Sequence, residues 1–294
     1  MSVFSNLTIK IDTYQRNHKI AGFSYGVYKK YSEDEVGKKV ALLTYYGFLS
    51  LFPLLLLIAT AVSIFTANDP QAQATATNTI ARYIPAIGDQ LYSHIHSINK
   101  NGFALIVALL FTLYGARGAI ENFRESAKSI WHEPKKNDPF AKNILRSLII
   151  LFVGTIGLVI ASIITGNVAD AGNGLLFKVL SVLVNVFVLF WVFIFILKTS
   201  IDRKISIKKI RLGALISSVG LVLLQIIGGV LLAHQLKTLD TLYSVFALPL
   251  GLMFWIYLQS QVVYIAVIVS AVNSKKLWPR AIDQNNPTTA DSKV

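Results

Sequence analysis

Six stretches of this sequence are too long and too apolar for the interior of a water-soluble fold. They run from Val40 to Thr66, Gly102 to Ile120, Ile144 to Val168, Leu175 to Leu197, Leu212 to Leu232 and Leu242 to Val272. Crossing a hydrocarbon core takes about 20 residues of helix, with a range of about 17–25. A bilayer admits only elements that satisfy their own backbone hydrogen bonds. The pattern therefore predicts an all-α fold, a polytopic transmembrane helix bundle of six spans. Composition agrees, with 54% hydrophobic and 15% charged residues and a mean hydropathy of +0.56; soluble chains average about 45–50% and about 25%. The uninterrupted apolar part of the second run ends at Ala116, so Arg117 must snorkel to the interface. Pro53 and Pro249 predict tilt or a kink in the first and last runs.

The net charge of +13 could suggest a nucleic-acid partner, but its distribution follows membrane topology instead. With the N-terminus placed in the cytoplasm, 24 of the 28 Lys and Arg residues fall on the inner side; Arg82, Lys100, Lys178 and Lys237 fall outside. Omitting the second run weakens the split to 19 against 9 and inverts the orientation. Eleven acidic residues lie inside, and Asp69, Asp89, Asp170 and Asp240 lie outside. The outer face is thus neutral, and the inner face carries the entire excess. The positive-inside rule predicts a multi-pass protein of the cytoplasmic membrane with both termini in the cytoplasm. Membrane lipids are the implied partners, anionic headgroups on the inner face above all, and nucleic acid is not. Homo-oligomerisation stays open.

Three parts follow: a cytoplasmic, amphipathic juxtamembrane segment (residues 1–39), a six-helix transmembrane domain (40–272) and a polar, proline-containing tail (273–294) expected to be disordered. The first apolar run is too long for a cleavable signal and reads as an uncleaved anchor. Ser32 and Glu35 have capping-box spacing just ahead of it. Upstream, Tyr14, Phe23, Tyr25, Tyr28 and Tyr31 alternate with Lys and Arg, which suits a short helix lying on the cytoplasmic leaflet. Between the first two runs, Ile80, Ile84, Ile87, Leu91, Ile95 and Ile98 form a helical stripe, interrupted near its start by Pro85. This extracytoplasmic amphipathic segment is either a cap packed on the bundle or a lid over a cavity.

Chemistry-bearing residues are scarce. There are no cysteines, and no Asp or Glu falls inside an apolar run. Ion coupling usually needs an intramembrane carboxylate. Thr44, Tyr45, Tyr46, Ser50, Asn185, Gln225, Gln259 and Gln261 are the polar side chains expected within the bilayer. They either bond helix to helix or line a polar cavity. Small residues that permit close helix approach include Gly154 and Gly157, then Gly213, Ser217 and Gly220. The five histidines do not group with metal-ligand spacing, and no nucleophile, phosphate-loop or zinc-protease motif occurs. No metal, cofactor or enzymatic activity is expected.

ALLTYYGFLSLFPLLLLIATAVSIF, YGARGAIENFRESAKSIW, IRLGALISSVGLVLLQ and YSVFALPLGLMFWIYLQSQVVYIAVIVSA occur in order between Val40 and Ala271. They resemble the first span, the end of the second, the entry to the fifth and the last span of the YihY/BrkB family of bacterial inner-membrane proteins. The resemblance implies six helices with cytoplasmic termini. It brings no settled activity, only a nuclease label, a virulence-factor label and suggestions of lipid or solute transport. Many relatives carry a glycine-alanine-glutamate step where this chain has Ala266, Val267 and Ile268. Any mechanism that needs that carboxylate is unavailable here. The function expected is therefore translocation of a lipid or other amphiphile without carboxylate coupling. A non-transporting envelope scaffold is the alternative, and a membrane nuclease comes last.

Overall fold

The computed structural model describes residues 3–65, 102–133, 142–154, 156–157, 174–201, 205–236, 244–282 and 287–293. Every element among them is helical: α1 (Val3–Asn17), α2 (Lys19–Glu33), α3 (Val36–Phe65), α4 (Gly102–Ile130), α5 (Leu175–Ser200), α6 (Ile207–Leu236), α7 (Ser244–Lys275) and a short 3-10 turn (Asp291–Lys293). Residues 142–154 are also helical. Each predicted run thus begins on helix where it is described. The stripe from Ile80 to Ile98, Asp170 and Asp240 lie outside the described residues. Among the described residues, three helices are long and apolar enough to cross a membrane: Leu175–Ser200, Ile207–Ile227 and Pro249–Lys275. Only 22%, 33% and 39% of their most apolar stretches are buried. In water such helices would hide their apolar faces; here they turn them outward, as a lipid solvent requires.

The chain divides into two compact units, Met1–Val40 with Asn122–Val222 and Ser260–Val294, and Ala41–Glu121 with Leu223–Gln259. In the first, α6 and α7 meet through glycine. A Cβ at Gly213 would overlap the Ser270 hydroxyl and the Ala266 carbonyl, and one at Gly220 would sit 2.7 Å from Val262. Ascending positions on α6 meet descending positions on α7, so the two helices pack antiparallel. Close approach of this kind replaces the hydrophobic drive that lipid cannot supply. The buried neighbours Ser217 and Ser218 donate within their own helix, to the carbonyls of Gly213 (3.1 Å) and Leu215 (2.9 Å), and so enter the contact already satisfied.

In the second unit, α3 and α4 use the same device. Gly115 faces Ser50 and Gly118 faces the Tyr46 ring, each within 2.8 Å of an added Cβ. Again the pairing is antiparallel. Gly47 meets Ile256 of α7 at 3.1 Å by the same measure.

Two local expectations change. Ser32 does not cap α3: it lies in the last turn of α2, and its carbonyl accepts the Glu35 N–H at 3.1 Å. Glu35 takes a positive φ of 49°, whereas the glutamate that closes a capping box, at N3, is helical. The α3 helix starts instead on the Glu35 carbonyl, which accepts the Lys38 N–H at 3.0 Å. The juxtamembrane segment is also two helices, α1 and α2, rather than one short one.

The tail departs further from expectation. Its described residues are packed, not disordered: Leu277, Arg280, Ala281 and Ala290 are buried. Gly22 and Gly26 of α2 leave room for Pro279 and for the Leu277 carbonyl with Trp278. Phe23 meets the Trp278 ring edge-on, centroids 5.9 Å apart.

Candidate functional site

The eight intramembrane polar candidates fall in both units. In the second unit, Thr44 is buried, and Tyr45 is half exposed with its ring edge-on to Tyr46 at 5.5 Å. Tyr46 and Ser50, one turn apart on α3, both lie on the α4 seam. Ser50 donates to the Gly47 carbonyl at 2.8 Å. Gln225 on α6 is exposed, and Gln259 on α7 is partly buried. In the first unit, Asn185 on α5 is partly buried, and Gln261 accepts a hydrogen bond from the Tyr31 hydroxyl at 3.0 Å. Gln261 therefore ties α7 to the juxtamembrane helix α2. An open depression of about 510 Å³ is lined by Leu148, Ile149, Leu151, Phe152 and Val153. Its lining is apolar and includes none of the eight.

The first unit concentrates charge where the sequence reading placed only generic inner-face basicity. Arg124, 3% exposed, donates to the Asn143 carbonyl (3.2 Å) and to Ser147 Oγ (3.3 Å), joining α4 to the helical segment 142–154. Nearby on α4, Asn122 accepts from the Tyr264 hydroxyl of α7 at 3.3 Å. Lys30 is fully buried; its Nζ pairs with Asp34 Oδ2 at 2.9 Å and donates to His132 Nε2 at 3.1 Å. An ammonium only donates, so Nε2 must be unprotonated and accept. Lys275 donates to the Trp131 carbonyl at the end of α4.

Loss of hydration, and then the Lys30 ammonium beside it, hold His132 below the ordinary imidazole value of 6.5. The unfolded chain therefore takes up a proton here before the folded one. The neutral-imidazole contribution is complete above about pH 6.5 and is lost as pH falls through the depressed value. His132→Gln keeps an acceptor without titrating. We expect its melting temperature in detergent to fall less than that of the parent between about pH 7.5 and about pH 5. Equal pH slopes would contradict this role for His132.

The tail supplies the other cluster. Arg280, 3% exposed, bonds Asp291 through Nε at 2.7 Å and Glu33 through Nη2 at 2.8 Å. Asp291 also accepts from Lys29 (3.0 Å), the Ala281 amide (3.0 Å) and the amide and hydroxyl of Thr288 (2.8 and 2.7 Å). Burial alone would raise its pKa. The bonds from Thr288, Ala281 and Arg280 outweigh that effect and hold the carboxylate far below its usual range. Asp12 repeats the pattern: burial opposes ionisation, while the Ile282 amide at 2.9 Å, Gln15 and Arg16 lower its pKa. Both acids stay charged and bind the tail to α1 and α2.

The sequence did hold a signal for this docking. LWPRAI places large apolar residues on both sides of one arginine, and a solvated tail has no use for tryptophan. Among the described residues, no group of three or more His, Cys, Asp or Glu could hold a metal.

No curated protein and no solved structure matches the chain. The family described as "Virulence factor BrkB" matches residues 27–290, from within α2 to the docked tail. That stretch covers nearly the whole sequence, and the chain belongs to the BrkB virulence-factor family.

Proposed function

We propose that this BrkB-family membrane protein crosses the bacterial cytoplasmic membrane six times, keeps both termini in the cytoplasm, and moves a lipid or similar amphiphile. One observation carries the reading. Among the described residues the long helices expose many large apolar side chains, with Phe111, Phe152, Leu175, Phe187, Leu250 and Phe254 all more than half exposed, while scattered neutral polar residues interrupt the apolar runs. Such a surface is at home in acyl chains, and hydroxyls or amides can replace water around a passing headgroup without burying a charge. No covalent step is required, so the activity is not enzymatic. With no carboxylate in the apolar runs, movement would not be driven by a proton bound inside the bilayer.

A scaffold reading has its own support: Ser50 bonds within its helix and Gln261 bonds Tyr31, both ordinary packing roles. Gln225→Leu and Gln259→Leu separate the two. Each should fold and insert, yet weaken handling of a fluorescent phospholipid in reconstituted vesicles by about two- to twelve-fold, the range for one lost hydrogen bond. Full activity in both variants would favour the scaffold. A steep dependence on an imposed pH gradient would contradict uncoupled movement.

A further inference from the structure

All four acids of residues 1–39 are held by cations: Asp12 by Arg16 (2.7 Å), Glu33 by Arg280 (2.8 Å), Asp34 by Lys30 (2.9 Å) and Glu35 by Lys38 (2.7 Å). Lys29 is taken by Asp291. Lys10 and Lys19 are exposed and make no ion pair among the described residues. Positive charge is therefore left over on one part of the helix pair, and it stands beside exposed apolar groups.

Helical phase shows which face this is. At 3.6 residues per turn, Gly22, Gly26 and Lys30 form the buried side of α2, the side that receives the tail. Ile20 and Tyr28, with Ser24 between them, lie nearly opposite. Ile20 is 84% exposed and Tyr28 67%. Among the described side chains of α1, Asp12 and Gln15 are buried, and Lys10 and Tyr14 point away from them. Sequence alternation alone could not distinguish the aromatics. Phe23 goes to Trp278 and Tyr31 to Gln261, leaving Tyr14 and Tyr28 outside.

We propose that this face of α1 and α2, formed by Lys10, Tyr14, Ile20 and Tyr28, with the exposed Lys19 at the first turn of α2 beside it, docks on anionic lipid headgroups at the membrane surface. The proposal rests on the membrane reading above and names a lipid class that the juxtamembrane helices recognise. Charge complementarity selects the occupant. Two unneutralised lysines flank isoleucine and tyrosine, an arrangement suited to a plane where phosphate meets acyl chain. The reach is short as well: only Asp34 and Glu35 separate α2 from α3, which enters the first apolar run at Val40.

The cysteine-free chain permits a direct test. Single cysteines replace Ile20, Tyr28, Ser292 and Phe254 in the full-length protein and carry an environment-sensitive fluorophore. The protein is reconstituted in phosphatidylcholine vesicles with or without phosphatidylglycerol, and with nitroxide lipids at headgroup or mid-chain depth. Labels at Ile20 and Tyr28 should shift to the blue and be quenched by headgroup nitroxide when phosphatidylglycerol is present, while Ser292 stays in water. Lys10→Glu combined with Lys19→Glu should abolish that quenching, as should omission of the anionic lipid. Labels at Ile20 and Tyr28 as wet as Ser292 would overturn the proposal. Quenching indifferent to lipid charge and to both reversals would overturn its anionic specificity. Burial of both labels without lipid quenching would assign the face to a protein, a second copy included, and would also overturn it. Phe254, 60% exposed on α7, reports insertion through mid-chain quenching. Its failure would break the membrane reading, whereas its success with Ile20 and Tyr28 unquenched would refute docking alone.

Discussion

Gly213→Leu should be among the most damaging single substitutions in the chain. A Cβ at this position already overlaps the Ser270 hydroxyl and the Ala266 carbonyl, and backbone atoms cannot swing aside as a side-chain tip can. The variant must either separate α6 from α7 or unwind one of them. Overpacking costs about 1–3 kcal/mol and occasionally more, and this site belongs at the upper end because its neighbours Ala214, Ala266 and Val267 are fully buried. The expected result is loss of monodisperse protein on detergent extraction, or a large drop in melting temperature. Gly251→Ala on α7 is the matched control: nothing lies within 4 Å of its added methyl, so it should be neutral or slightly stabilising. A Gly213→Leu variant as stable as this control would refute the close α6–α7 packing.

Arg280→Met should release the tail. Methionine keeps much of the length and removes the charge, leaving Glu33 without its cation and Asp291 dependent on Lys29. Removing one partner of a buried pair costs about 3–5 kcal/mol. Because Glu33 is 34% exposed, the lower end of that range applies. Limited proteolysis should cut the C-terminal residues many-fold faster while the helices survive. Unchanged cleavage would contradict tail docking. Acid should act in the same direction: Asp291 has a depressed pKa, so its contribution is whole above the ordinary 3.8 and is lost as pH falls through the depressed value.

Helix content was legible because a bilayer tolerates few alternatives. Twenty apolar residues without a break leave the backbone no other way to satisfy itself, and Leu175 to Leu197 became α5 with almost the predicted ends. The seams were partly legible. Gly213, Ser217 and Gly220 announced a close approach, but their contacts on α7, Ala266, Ser270 and Val262, lie more than forty residues away, and nothing local specifies them. The polar clusters were least legible. Lys30 and His132 are 102 positions apart, Glu33 and Arg280 are 247, and each reads alone as solvated charge. Polarity itself misled at the tail, because Arg280 and Asp291 look solvent-bound until the acids and amides around them are known. Ser32 and Glu35 failed for a geometric reason: spacing cannot reveal that Glu35 adopts a left-handed backbone.

Single cysteines can test the proposed six-span topology, in which the inner face carries the basic excess. Gln73, Asn137 and Asn285 are replaced one at a time in the cysteine-free chain, and intact spheroplasts are treated with an impermeant thiol reagent. The 24-to-4 distribution of Lys and Arg predicts labelling at position 73 alone, with positions 137 and 285 reacting only after the membrane is opened. Labelling of position 137 from outside intact cells would contradict the topology and, with it, the proposed route for an amphiphile.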